Sequence, residues 1–185
     1  MGKRLFVSID LDGLGEEVAA VQEPFADAPG LKPTDPEQAH VTVKFLGDTD
    51  EDRIPELVDE LGAAVDAAGV SPFEAEFGGY GVFPDIDYIS VIWLGVREGG
   101  EAMERIHDTV EDRAVAMGFD PEDHEFTPHV TLARMDHAAS KDLVQDVVTG
   151  RDPDVGRLTV EEVRLTESVL DPDGPTYSTV ERFEL

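Results

Sequence analysis

The sequence has no cysteine, which excludes disulfide cross-links and thiolate metal sites. Lysine is nearly as scarce, with Lys3, Lys32, Lys44 and Lys141 its only representatives. Lys and Arg total 14 against 42 Asp and Glu, a formal net charge of −28. That balance excludes non-specific duplex binding through a broad basic face, because the chain repels phosphate backbones. No apolar run reaches the roughly 18 residues that a membrane-spanning helix requires, so no membrane partner is expected. The apolar stretch near the N-terminus extends only from Leu5 to Ile9, too short for a secretory signal, and Phe6 stands where N-myristoylation needs Ser or Thr. A cytoplasmic protein is expected.

What is present suffices for a core. The length, 185 residues, is that of one domain. Leu, Ile, Val and Phe account for 51 of the 185 residues, well above the share of roughly 20% below which highly charged chains stay unfolded. The segments Arg4 to Asp10, His40 to Leu46 and His129 to Arg134 are rich in β-branched residues and read as strands. Phe73 to Phe83 and Tyr88 to Val96 read as an antiparallel pair. Between them, Glu51 to Ala68 places Ile54, Leu57, Val58, Leu61 and Val65 on one helical face, stopped by Gly69 and started by Asp50 or, better, Asp52. A brief helix carries Val18, Val21 and Phe25, a longer one Met103, Ile106, Val110 and Met117 before Gly118, and a short one spans Ser140 to Val148. The tail reads as a hairpin, Leu158 to Leu170 against Tyr177 to Leu185, turned at Asp171–Pro175. Helices mixed with hairpins predict an α+β fold with antiparallel sheets.

One tripeptide occurs twice, His40-Val41-Thr42 and His129-Val130-Thr131, 89 residues apart and thus close to half the chain. Duplication into two pseudo-symmetric lobes accounts for that spacing. In a strand, residues i and i+2 share a face while i+1 faces away. Each tripeptide therefore buries its valine and sets an imidazole beside a hydroxyl. Two such strands facing one cleft supply an acid, a base and two hydrogen-bond donors, a set suited to one small tetrahedral anion. Neither site has a serine or cysteine nucleophile beside it, so direct attack by water is the simplest chemistry.

Here the sequence resembles the two-histidine phosphoesterases, and within them the LigT-like RNA 2′,3′-cyclic phosphodiesterases of the 2′-5′ RNA ligase family. The resemblance runs nearly end to end, through Arg4-Leu-Phe-Val-Ser-Ile-Asp10, His40-Val-Thr-Val-Lys-Phe-Leu-Gly47, Gly78-Gly-Tyr-Gly-Val-Phe-Pro84, Phe126-Thr-Pro-His-Val-Thr-Leu-Ala-Arg134 and Glu167-Ser-Val-Leu170. It implies a bilobal, pseudo-symmetric α+β domain over residues 1–185, two antiparallel sheets flanked by helices with a central cleft. It implies metal-independent, cofactor-free hydrolysis of RNA 2′,3′-cyclic phosphate ends, or of small nucleotides, to 2′-phosphates. His40 matches the family's proton donor and His129 its proton acceptor. Thr42 and Thr131 match the phosphate-binding hydroxyls, and Phe45 and Arg134 the positions that sandwich the terminal base. The departure lies on the surface, where dispersed carboxylates and few lysines resemble proteins of salt-in halophiles and imply a halophilic archaeal source.

Two other functions share the same groups, a non-catalytic module that binds nucleotides or RNA ends and a reversible 2′-5′ RNA ligase. A monomer is expected, since no apolar stripe demands a partner. His107, on a helix, and His124 and His137, in polar connections, have no twin and read as solvated or locally bonded. The glycines of Phe77-Gly-Gly-Tyr-Gly81 read as bulges or close sheet packing, and Asp120–Asp123 and Asp171–Asp173 as solvated turns. Strand parity raises one difficulty. It puts Lys44 on the face of His40 and Thr42 and sends Phe45, and likewise Arg134, to the opposite face, unless both strands bend or bulge just past the threonine.

Overall fold

The computed structural model describes residues 2–185. In chain order the elements are β1 (Gly2–Asp10), α1 (Gly15–Gln22), β2 (Leu31–Pro33), β3 (His40–Asp50), α2 (Ile54–Ala68), β4 (Phe73–Asp85), β5 (Tyr88–Glu98), α3 (Gly100–Ala116), β6 (His129–Met135), α4 (Lys141–Gly150), β7 (Asp154–Val160), β8 (Glu162–Asp171) and β9 (Gly174–Glu184). Of its predicted apolar face, helix α2 buries Leu57, Leu61 and Val65 and half-buries Ile54 and Val58, with Ala64 and Ala68 buried beside them, and it ends where Gly69 turns left-handed at φ 64°. Its start differs from expectation. Glu51–Arg53 form a 3₁₀ turn ahead of α2, and neither Asp50 nor Asp52 caps a backbone N–H through its side chain. Pro55 does fall in the first turn, where its missing N–H costs nothing.

The strands form one sheet in the order β7-β4-β5-β6-β3-β1-β8-β9, with β2 added beside β6, and every pairing is antiparallel. Two halves are visible in that order. The succession β1-α1-β3-α2 in one corresponds to β5-α3-β6-α4 in the other, so β3 and β6, the strands that open with the repeated tripeptides, hold equivalent central places. The two antiparallel sheets expected are continuous with each other, joined by the single pair Val41 and Val130. The expected tail hairpin forms, Glu162–Asp171 against Gly174–Glu184 turned at Asp171–Gly174, but its first strand begins at Glu162 and not at Leu158. The chain leaves the sheet at Glu161, so Asp154–Val160 pairs with β4 at one edge while β8 and β9 complete the other. This crossing ties the halves together through the last segment of chain.

Val41, Val43, Val130 and Leu132 point to the helix-covered face and join one core with Leu57, Leu61, Met103, Ile106 and Val110. Burial of each such side chain contributes about 1.5–3 kcal/mol before chain entropy is counted. A smaller cluster, Phe25, Leu31, Ile92, Ala133, Val144 and Val147, seats α4. No helix among the described residues is long and apolar enough to cross a membrane.

Candidate active site

The antiparallel pairing of Val41 with Val130 fixes the centre of the site. Around that pair, His40 lies across from Thr131 and Thr42 across from His129, so the two histidines are diagonal neighbours on the face away from the core. Diagonal positions stand roughly 7–8 Å apart, a span that leaves room for one tetrahedral anion between two side chains. The tripeptides therefore meet as adjacent strands of one sheet, not as separate walls.

The parity difficulty resolves through a bulge in each strand. Between Val7–Lys44 and Ser8–Thr42 the β1 register skips Val43, and between Ile92–Ala133 and Trp93–Thr131 the β5 register skips Leu132. Each bulge falls three residues after its histidine and restarts the alternation. In consequence Val43 and Lys44 are both buried, as are Leu132 and Ala133, while Phe45 and Arg134 return to the face of the histidines. Phe45 is therefore not sent to the core as unbroken parity would have it: it is 53% exposed and its ring lies 5.8 Å from the Phe6 ring. The expected placing of Lys44 in the cleft is likewise reversed, for only 1% of it is exposed.

Each bulge frees a carbonyl from the ladder, and each carbonyl finds a partner on the equivalent helix. His107 on α3 donates from Nδ1 to the Val43 oxygen at 2.8 Å, and its ring stacks on Phe126 at 4.3 Å. Gln22 on α1 donates from Nε2 to the Leu132 oxygen at 2.9 Å, which also accepts the Thr34 N–H at 2.9 Å. His107 is thus buried and bonded 64 residues away, not solvated or locally bonded as its sequence setting suggests. One helical turn further along α3, Glu111 holds the Lys44 ammonium at 2.9 Å, with the Asp120 carbonyl at 2.6 Å and Glu122 at 3.6 Å. The turn at Asp120–Asp123, expected to be solvated, therefore anchors β3. His124 and His137 are exposed and bond locally, as expected.

Both central imidazoles are oriented in the same way. His40 Nδ1 lies 3.0 Å from the Gln38 carbonyl and His129 Nδ1 2.6 Å from the Thr127 carbonyl. A carbonyl only accepts, so each Nδ1 carries its proton as the donor and each Nε2 is the nitrogen that titrates. The Thr42 hydroxyl stands 3.1 Å from His40 Nε2. Aromatic rings wall both histidines, Phe6 at 4.9 Å and Tyr177 at 5.2 Å around His40, Phe83 at 4.9 Å and Trp93 at 5.8 Å around His129. Gly81 is required here, because a Cβ at that position would overlap the Trp93 ring.

Burial within these walls pushes both imidazoles below the usual histidine value. For His40 the Gln38 carbonyl and the Asp10 carboxylate partly offset that fall, and Arg134 adds to it. For His129 the Thr127 carbonyl offsets it, while His40, Arg134 and His124 add to it. A cavity of about 160 Å³ opens on the His40 side, lined by Phe6, Asp10, Arg164 and Tyr177 among others, and His129 lies outside it. Among the described residues no three His, Asp or Glu side chains gather as a metal-ligand set. Sequence reasoning missed the aromatic walls and the bulge anchors. Phe6 was within reach, since it shares strand parity with Ser8 and Asp10; Tyr177 stands in Gly174-Pro-Thr-Tyr177, a segment that also carries the family resemblance, but no spacing ties it to His40.

The six residues singled out in the sequence thus share one face: His40, Thr42 and Phe45 from β3, and His129, Thr131 and Arg134 from β6. The family model for the 2′-5′ RNA ligase superfamily matches residues 12–172. The chain is 35% identical over 188 residues to the RNA 2′,3′-cyclic phosphodiesterase of Methanothermobacter thermautotrophicus, covering 100% of both. It is 31% identical over 183 residues to the protein of the same name from Archaeoglobus fulgidus, covering 98% of this chain and 99% of that one. Among solved structures, a Thermus thermophilus protein superposes with a TM-score of 0.80 at 28% identity, covering 98% and 97% of the two chains. E. coli LigT complexed with 3′-AMP superposes with a TM-score of 0.81 at 22% identity over 100% and 99%, a likeness of fold.

Proposed function

The chain belongs to the 2′-5′ RNA ligase superfamily, and from that premise we propose that it hydrolyses RNA 2′,3′-cyclic phosphate ends to 2′-phosphates by acid–base catalysis between His40 and His129. The observation that carries this reading is the pairing of two imidazoles, each with Nδ1 tied to a carbonyl and Nε2 left to titrate, with the Thr42 hydroxyl 3.1 Å from His40 Nε2 and Thr131 two residues after His129 on its strand.

In this reading His129 Nε2 takes a proton from water as its oxygen attacks phosphorus. The bond from phosphorus to the 3′ oxygen breaks, and that oxygen takes the proton held on His40 Nε2. Atoms balance: one water is consumed, a 2′-phosphate and a 3′-hydroxyl form, and the two histidines exchange protonation states until solvent resets them. The Thr42 and Thr131 hydroxyls donate to the non-bridging oxygens, where charge builds in the displacement. Once His40 is protonated its Nε2 no longer accepts from Thr42, which releases that hydroxyl to the phosphate. Phe45 and Arg134 offer the terminal base an aromatic and a guanidinium plane. No step requires a metal. The protein acts in this reading as a cytoplasmic monomer on RNA ends or small nucleotides.

The test is incubation with an oligonucleotide ending in a 2′,3′-cyclic phosphate, in EDTA, with the position of the product phosphate determined. Turnover to the 2′-phosphate is expected, and His40→Ala or His129→Ala should each lose about 10²–10⁴-fold with the fold intact. Undiminished turnover in either variant contradicts the assignment. The dispersed acidity supports a salt-adapted source, in which ionic strength relieves self-repulsion across a chain of net charge −28. The melting temperature should rise with KCl into the molar range, and a flat or falling response contradicts that reading.

A further inference from the structure

The two halves of the sheet present each central histidine to a neighbouring strand, and there they differ. His40 is paired across β1 with Asp10, whereas His129 is paired across β5 with Gly95. Gly95 has no room for a side chain, because a Cβ there would lie 2.8 Å from the Gly78 carbonyl oxygen. A carboxylate therefore stands beside one imidazole, and close backbone packing keeps that place empty beside the other.

Asp10 is held in a fixed position. Its Oδ1 accepts the Ser8 hydroxyl at 2.7 Å and its Oδ2 accepts Arg164 Nη1 at 2.7 Å. Ser8 in turn meets the Thr166 hydroxyl at 3.0 Å, with both residues buried. Arg164 does not cancel the Asp10 charge, since the same guanidinium also serves Asp12 at 2.5 Å and Glu162 at 2.8 Å. Even with Arg182 bonded to Glu162 at 2.7 Å, three carboxylates face two guanidinium groups. Asp10 and His40 line the same cavity.

The other charged or titratable groups around His40 are Asp12 after β1, Glu37 before β3, Arg164 from β8 and Tyr177 from β9. From β6 come Arg134 and His129. The cations among these disfavour a second positive charge at the site. Asp10 is the carboxylate set directly across the strand pair from His40, and a fixed carboxylate stabilises an imidazolium beside it.

We propose that Asp10 is the positioning residue that breaks the near-symmetry of the two histidines, making His40 the proton donor and leaving His129 the acceptor. Without it the two tripeptides would be close to interchangeable; with it, the proton crosses the site in one direction. The inference deepens the phosphodiesterase reading and rests on it.

Asp10→Asn tests it, because the amide keeps an oxygen for Ser8 and nearly the same shape while removing the charge. In the wild type, the alkaline limb of kcat/KM reports loss of the proton from the acid and the acidic limb reports protonation of the base. In Asp10→Asn the alkaline limb should move to lower pH by about 0.5–1 unit with the acidic limb unmoved. Titration of the His40 ring by proton NMR should fall by the same amount in the resting protein, while that of His129 stays in place. A folded Asp10→Asn protein in which neither histidine's titration moves, or in which His129 moves instead, overturns the proposal. The NMR arm needs no turnover, so a wild type that leaves cyclic phosphates intact would reject the hydrolase reading while the titration still decides the role of Asp10.

Discussion

Replacing Lys44 by methionine probes what sets the bulge that turns Phe45 toward the histidines. Methionine keeps most of the apolar stem but removes an ammonium that is 1% exposed and bonded to Glu111 at 2.9 Å, Glu122 at 3.6 Å and the Asp120 carbonyl at 2.6 Å. Burial pushes the Glu111 carboxyl up, yet the bonds from Lys44 and from the Glu122 N–H outweigh it and hold that carboxyl below its usual range. Removing one partner of a buried pair costs about 3–5 kcal/mol, most of it the stranded charge. Glu111 and Glu122 retain 18% and 27% of their side-chain exposure, so water relieves part of that charge and the loss should lie near the lower figure, about 3 kcal/mol. For a chain of this size that corresponds to a fall of roughly 6–12 °C in Tm. Urea unfolding at low salt and again in about 1 M KCl provides the assay. A buried pair is screened little, so the loss should persist in salt. Exposed pairs such as Arg157 with Glu98 should by contrast contribute little and fade as salt screens them. A loss within about 0.5 kcal/mol of zero, or one abolished by KCl, would refute the reasoning.

Three further outcomes follow from the same geometry. Phe45→Ala should raise KM for a cyclic-phosphate nucleotide about tenfold, in line with 1–3 kcal/mol per stacked base, and leave kcat nearly unchanged; a fall in kcat alone would place Phe45 elsewhere in the mechanism. Arg134→Ala should do the same to KM and also move the pH profile to higher pH, because its charge depresses both imidazoles; an unshifted profile contradicts that coupling. Stability should decline on acidification in two stages. Both histidines titrate lower in the folded chain than their free value of 6.5, so the unfolded chain binds more protons as pH falls through 6.5 and stability drops there. Glu111 and Glu162, held below 4.5, add a second loss as they protonate. A Tm that stays level from about pH 7 to pH 5 would contradict the first stage.

The repeated tripeptide was legible because alternation is local: His40 and Thr42, or His129 and Thr131, must share a face in any strand. The helix stops at Gly69 and Gly118 were legible for a similar reason, each being a local backbone requirement. The bulges were not. Nothing within Val43 or Leu132 marks them as extra residues; their positions depend on the partner registers of β1 and β5 and on His107, Gln22 and the Lys44 carboxylates, all distant in sequence. Parity counted from the histidines therefore sends Phe45 and Arg134 the wrong way. The division of the tail at Glu161 was hidden as well, since β7 and β8 look like one continuous strand and only their opposite edges in the sheet separate them. Asp10, read simply as the end of a strand, acquires meaning only when the register sets it across from His40.

The central claim is that two imidazole–hydroxyl pairs, held as neighbours by the Val41–Val130 pair, act on one phosphorus. A crystal structure with a nucleoside 2′-phosphate bound tests it most directly. The account predicts the phosphate between His40 Nε2 and His129 Nε2, with the Thr42 and Thr131 hydroxyls about 2.5–3.0 Å from its oxygens. A phosphate engaged by one histidine alone, or seated outside that pair, would contradict it.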